Sequence, residues 1–253
     1  MNITPYHHNL LSDHERLVGF FEAIKEKSKG IVYDLGTGSG ILASVAAPHA
    51  DHVFAVENNP KTAQIATRNL SNFDNVSVLV EDATKIVFPE KADLIICEMI
   101  DTGLIDEELI PVLQNAVEYL KDDGEIIPCG IFNGLEPIHM ENSHICYQND
   151  LKNNFIPLGP LKIYNSFELK KKINEKVDVT LKPVINCNGT VNGIKITTFT
   201  ILTSKLICGP TPMLNPPLLI PTNPLKVSKG EKIDLNLKYV MGGGLNTIKA
   251  RIS

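Results

Sequence analysis

Ile31-Val-Tyr-Asp34-Leu-Gly36-Thr-Gly38-Ser-Gly40-Ile41 is the stretch whose reading decides the fold. A short apolar run ends in an acid, enters a loop with glycine at alternate positions, and continues into an apolar segment. Glycine accepts left-handed backbone angles and lets the main chain come close to a ligand. A strand, a glycine loop and a helix in that order form a nucleotide-holding βα unit. The dinucleotide fingerprint needs its third glycine at position 41, which is Ile41. The spacing therefore disfavours NAD.

The neighbouring segments extend this reading. Ser12 and Glu15 have capping-box spacing at the start of an expected helix. Its apolar face includes Leu17, Phe20, Phe21 and Ile24, and Gly30 closes it. Downstream, Val53–Glu57, Val76–Val80 and Ala92–Cys97 are short apolar runs without strict alternation, as in strands buried on both faces. Leu109, Leu113, Ala116, Val117 and Leu120 recur at helical spacing. A βαβα order predicts a doubly wound, mostly parallel sheet with helices on both faces. After Pro128 the pattern changes. Val177, Val179 and Leu181 alternate with polar residues, as do Ile233, Leu235, Leu237 and Tyr239. Prolines cluster between Pro210 and Pro224, and Gly242 to Gly244 mark a turn. This predicts an antiparallel β-barrel or sandwich. The expected domains are residues 1–128, α/β with an N-terminal helical segment, and residues 129–253, β-rich.

Composition narrows the function classes. The chain has 253 residues and a net charge of −5, which argues against a large electrostatic surface for nucleic acid. No apolar stretch is long enough to cross a bilayer, and the N-terminus lacks the pattern of a secretion signal. The scattered cysteines (Cys97, Cys129, Cys146, Cys187, Cys208) suggest neither a zinc site nor a disulfide framework, so a reducing cytoplasm is expected. His7 and His8 have no third ligand, and no metal is expected. Lys170 to Lys172, the only basic run, reads as a solvated face.

The Asp34-x-Gly36-x-Gly38-x-Gly40 pattern resembles motif I of the class I S-adenosylmethionine-dependent methyltransferases. The resemblance implies S-adenosylmethionine as cofactor, its amino-acid end held by the loop with Asp34, Gly36, Thr37, Gly38 and Gly40. It implies that Glu57, followed by Asn58, accepts hydrogen bonds from the ribose hydroxyls; alone, Glu57 also suits a helix start. Asp82, with Ala83 beside it, is implied to meet the adenine, with Glu81 as an alternative.

A second resemblance is more specific. Cys97-Glu98-Met-Ile-Asp101-Thr-Gly-Leu-Ile-Asp106-Glu107-Glu108 is similar to the double-glutamate segment of protein arginine methyltransferases, S-E-W-M-G-Y followed by another glutamate. Glu98 and Glu107 have the family's separation and are the implied catalytic pair, holding a guanidinium by charge-assisted hydrogen bonds. Tyr6-His7-His8-Asn-Leu-Leu11-Ser-Asp13-His-Glu-Arg16 resembles the family's I-H-E-E-M-L-K-D-x-x-R, and implies that Arg16 binds the cofactor carboxylate. Family members carry a β-barrel after the nucleotide domain, and Gly193-Ile-Lys-Ile and the segments from Pro224 and Ile233 resemble its later strands.

The chain also departs from that family. The T-H-W segment is missing, with Thr211-Pro-Met-Leu-Asn-Pro-Pro217 about where it should be. The aromatic positions of S-E-W-M-G-Y fall within Met99, Ile100, Asp101 and Thr102. The family's dimers imply a homodimer, while the short second half implies a reduced or absent dimerisation arm. Asn215-Pro216-Pro217 is similar to the N-P-P-Y motif of nitrogen-methylating nucleic-acid enzymes, but it does not follow the fourth strand and reads as a proline-rich loop. The leading expectation is N-methylation of a protein side chain, arginine-like. The alternatives are RNA methylation on the same fold and a non-catalytic scaffold that binds S-adenosylmethionine.

Overall fold

The computed structural model describes residues 12–148 and 155–253. His7, His8 and the rest of the segment before Ser12 lie outside the described residues. The first described helix, α1 (His14–Lys27), is capped by Asp13, whose Oδ1 accepts the Arg16 N–H at 3.2 Å. The expected Ser12–Glu15 capping box is thus replaced by a cap one residue later, since Asp13 places a side-chain oxygen over the third helical amide. Phe20, Ala23 and Ile24 form the buried stripe of α1, while Leu17 and Phe21 are half-buried.

Five strands form a parallel sheet: β1 (Ile31–Leu35), β2 (His52–Val56), β3 (Val76–Leu79), β4 (Ala92–Cys97) and β5 (Leu120–Ile127). Their order is β3-β2-β1-β4-β5. Between them run α2 (Ile41–Ala46), α3 (Pro60–Asn69) and α4 (Leu109–Ala116). The central strands are mostly apolar because helices cover both faces: Val32, Tyr33, Leu35, Leu94, Ile95 and Ile96 are all fully buried. Asn59 starts α3 by accepting the Lys61 and Thr62 N–H groups at 3.0 and 3.3 Å, with Pro60 at the first helical position. The expected helix through Leu120 stops at Ala116. A single 3-10 turn follows over Val117–Tyr119, and Leu120 opens the edge strand β5. β5 pairs on one side only, so it carries Asp122 and Asp123 in solvent and has no clear strand signature in the sequence.

The remainder is antiparallel. One sheet has β6 (Gly130–Met140) and the long β11 (Gly189–Thr203) at its centre, with β13 (Leu218–Val227) beside β11. Its margins are β7 (Cys146–Tyr147), β8 (Phe155–Pro157), β9 (Lys162–Glu168) and β12 (Leu206–Cys208). A smaller sheet is ordered β10 (Lys176–Leu181), β14 (Leu235–Val240), β15 (Lys249–Ile252). The period-two residues meet as expected: Val177 faces Tyr239, Val179 faces Leu237 and Leu181 faces Leu235. Inside the proline cluster, Pro224 falls where the register of β13 with β11 shifts between Val191 and Gly193, and Pro221 pairs with Gly193 at the margin of that shift. Asn223 ties the two sheets by bonding the Ile252 carbonyl (2.8 Å) and N–H (3.1 Å). One hydrophobic cluster runs from Phe20 and Leu94 through Ile196 and Leu218 to Leu237, so the two halves share a core.

No described helix is long and apolar enough to cross a membrane. Among the described residues no group of three His, Cys, Asp or Glu side chains could hold a metal ion.

Candidate active site

A cavity of about 270 Å³ opens at the carboxyl ends of the parallel strands. It sits where the strand order reverses, with β1 leading to β2 and β3 on one side and to β4 and β5 on the other. Open α/β sheets bind ligands at that point because the loops there diverge and leave a crevice.

The glycine loop forms one wall. Gly36, Gly38 and Gly40 have φ of +72°, +56° and +84°, values costly for residues with a side chain. A Cβ on Gly36 would lie 2.7 Å from Met99 Sδ, so the loop and the segment after β4 pack without room for a methyl group. The Gly36 and Thr37 amides donate to the Val56 carbonyl, both at 2.9 Å, and Gly38 N–H donates to Glu57 Oε2 at 3.1 Å. The loop is therefore shaped by the end of β2. Asp34 Oδ2 supports it from below, accepting the Thr37 hydroxyl at 2.6 Å and the Ala43 N–H at 3.0 Å. Burial pushes the Asp34 pKa up to about 6 against the pull of those two bonds. Gly40 does not line the cavity. It begins α2, and a Cβ there would press within 2.8 Å of Leu70.

The other expected residues converge on the same space. Arg16, Thr37, Glu57, Asn58, Asp82, Ala83, Glu98 and Glu107 all line it. Glu57 Oε1 also accepts Asn59 N–H at 2.9 Å, and its remaining lone pairs are available to a ligand. Asp82 folds its own turn, accepting from Thr84 and pairing with Lys85 at 2.8 Å; the Lys85 ammonium, then Thr84, lowers its pKa to about 2. Arg16 is buried and its Nη1 lies 2.7 Å from Glu98 Oε2. Burial raises the Glu98 pKa to about 7, although Arg16 opposes the shift. Glu107 stands at the exposed rim, its pKa also raised, by desolvation and then by Asp106 and Glu108.

A family model described as a methyltransferase domain matches residues 32–124. A protein of uncharacterised function from Methanothermobacter thermautotrophicus is 46% identical over 250 residues, covering 99% of this chain and 98% of its own. An arginine N(omega)-methyltransferase of Streptomyces achromogenes is 33% identical over 138 residues, covering 50% of this chain and 38% of that protein. A chain of the Trypanosoma brucei PRMT1 enzyme–prozyme heterotetrameric complex with AdoHcy has a TM-score of 0.81 at 17% identity, covering 98% of this chain and 96% of that one. Residues 32–124 thus form a methyltransferase domain of the S-adenosylmethionine-dependent kind, with sequence similarity to an arginine methyltransferase over half of the chain and the fold of a protein arginine methyltransferase over nearly all of it.

In this methyltransferase the residues present fit the cofactor. Gly36 and Gly38 present main chain without a side chain to the cavity, Arg16 is a buried cation beside it, and the Glu57 carboxylate lines it. Sequence reasoning missed Met213. Where related enzymes have T-H-W, the methyltransferase has a turn that reaches the cavity through Met213. Asp13 holds that turn, accepting the Thr211 hydroxyl and, at 3.0 Å, the Met213 N–H. Asn215, at φ +56°, donates to Thr200 Oγ1 at 2.7 Å, which supports reading Asn215-Pro216-Pro217 as a structural loop. No local signal in the sequence places Met213, because its position depends on a contact between residues about two hundred apart in the chain.

Proposed function

We propose that this methyltransferase N-methylates a protein side chain bearing a guanidinium, with Glu98 and Glu107 as the acceptor clamp. The observation that carries the reading is the charge of the cavity. Among the described residues, seven carboxylates (Asp34, Glu57, Glu81, Asp82, Glu98, Glu107, Glu108) line it against one cation, Arg16. A cationic acceptor is attracted to such a wall and a polyanion is repelled. That favours a guanidinium over RNA.

S-adenosylmethionine, when bound, supplies a methyl group on a positively charged sulfur. The chain supplies position and a proton acceptor. In this reading Arg16, which pairs with Glu98, would also meet the cofactor carboxylate. Glu57 would take the ribose, and Asp82 or Glu81 with Ala83 the adenine. Glu98 and Glu107 would accept hydrogen bonds from two nitrogens of the acceptor and so fix the third. Glu98, with a pKa of about 7, suits the further task of taking a proton from the methylated nitrogen near neutral pH.

The test is transfer of labelled methyl groups from S-adenosylmethionine to cell extract and to a Gly-Arg-Gly repeat peptide. Label should enter protein, and Glu98→Gln should lose at least about a hundredfold in rate, the contribution expected of a positioned acid–base group. Label confined to RNA after protease and nuclease treatment would sink the proposal.

A further inference from the structure

Between Glu98 and Glu107 the chain leaves the parallel sheet and returns to start α4. The first part of this excursion is anchored by the antiparallel half. The Thr102 hydroxyl donates to the Pro216 carbonyl at 2.7 Å, and Gly103 N–H donates to Thr198 Oγ1 at 2.7 Å. The Leu104 and Ile105 carbonyls accept from Gly242 (2.9 Å) and Gly244 (2.8 Å). None of these anchors reaches past Ile105. Beyond it come three successive acids, Asp106, Glu107 and Glu108, whose mutual repulsion favours an extended, solvated chain.

We propose that Asp101 is a positioning residue that holds Glu107 at the cavity, with Tyr147 as its support. This rests on the acceptor-clamp reading above. Asp101 Oδ2 accepts Ile105 N–H at 3.2 Å and Asp106 N–H at 3.0 Å, while Oδ1 accepts Glu107 N–H at 3.2 Å. Three consecutive amides thus converge on one carboxylate, the arrangement by which main chain grips an anion, here satisfied within the loop. The Glu107 amide is itself one of the three, so the main chain that carries the Glu107 side chain is held beside the cavity. Asp101 is 8% exposed, which keeps water from competing for these donors. Tyr147, on β7, donates its hydroxyl to Asp101 Oδ2 at 3.2 Å, and β7 is tied to β13 through the Tyr147–Leu218 register. The carboxylate is thereby oriented from the antiparallel half. The double-glutamate segment that this stretch resembles has glycine at the matching position, which has no side chain to serve as such an anchor.

Asp101→Asn keeps the shape but leaves one acceptor oxygen facing three amides, with an NH2 group turned toward donors. Tyr147→Phe keeps the ring and removes only the supporting hydroxyl. Amide hydrogen exchange over residues 101–108, cofactor affinity by calorimetry, and steady-state methylation of a Gly-Arg-Gly repeat peptide would be measured for both variants. In Asp101→Asn, exchange at Ile105, Asp106 and Glu107 should rise about tenfold or more, the size expected for losing charge-assisted bonds, with a similar rise in peptide KM. S-adenosylmethionine affinity should not change. Tyr147→Phe should move the same quantities less, and it tests the idea even if the first variant folds poorly. Unchanged exchange at the three amides in both variants, or cofactor affinity falling in step with peptide KM, overturns the proposal. If the wild-type enzyme leaves the peptide unmethylated, the acceptor reading fails separately. Loss of protection in Asp101→Asn then still supports the anchor, and its retention overturns it.

Discussion

Glu98 receives opposing influences from its surroundings. Burial makes its charge costly, and the Arg16 guanidinium 2.7 Å away makes it favourable. Burial wins, and the pKa settles at about 7 instead of the ordinary 4.5. Glu98 must be ionised to attract a cation or accept a proton. Protonation dominates below its raised pKa, so acceptor kcat/KM should fall as pH drops through about 7, approaching about tenfold per unit. A pH–rate profile that stays flat from about pH 5 to about pH 8 would mean that Glu98 does not titrate where its environment places it. Asp82 contrasts with this residue: held by Lys85 and Thr84, it stays charged down to about pH 2.

At the scale of the element, the βα turn after β1 has two functions that constrain each other. Its amides are bound to Val56 and Glu57, which fixes its shape, and the absence of a side chain at Gly36 and Gly38 keeps that part of the cavity wall open. Gly38→Val should fail on both counts. A β-branched residue at φ +56° costs about 1–2 kcal/mol in backbone strain, and its side chain occupies the cavity wall. S-adenosylmethionine binding should become undetectable by calorimetry while circular dichroism remains that of the parent. Unchanged affinity would place the cofactor elsewhere. The turn at Thr211 is the corresponding element on the other side, coupling Met213 to the start of α1 through Asp13.

At the scale of the whole molecule, the acidic loop belongs to both halves. It leaves β4 in the parallel sheet and is gripped by Thr198, Pro216, Gly242 and Gly244. Thr198 is fully buried; it accepts from Gly103 and donates to Asn133 Oδ1 at 2.5 Å. Thr198→Val preserves the volume and orphans both partners, at about 1–3 kcal/mol each. The loss should appear in denaturant unfolding as a lower midpoint with an unchanged slope. An unchanged midpoint would show that water or a rearrangement replaces the bonds. Because the core runs through both halves, unfolding should remain a single transition.

Local patterns made much of this readable from the residues. Val32, Tyr33, Leu35 and Leu94–Cys97 are apolar because both sheet faces are covered, and the strands of Val177 and Tyr239 alternate because one face is wet. The glycine loop and the acids at positions 57, 82 and 98 follow strand ends, where the βα order brings them to one crevice, whereas Glu107, ten residues beyond β4, is held there by its anchor to Asp101. Packing overrode these patterns at the edge, where β5 has too few apolar residues to announce itself, and at the start of α1, where Asp13 took the cap from Ser12. The Arg16–Glu98 pair, the Met213 turn and the Asp101 anchor came only from tertiary structure. Each joins side chains to groups that the linear order leaves far apart or gives no reason to face one another. Periodicity records which face of an element is buried, whereas hydrogen bonds between elements depend on how those faces are finally stacked.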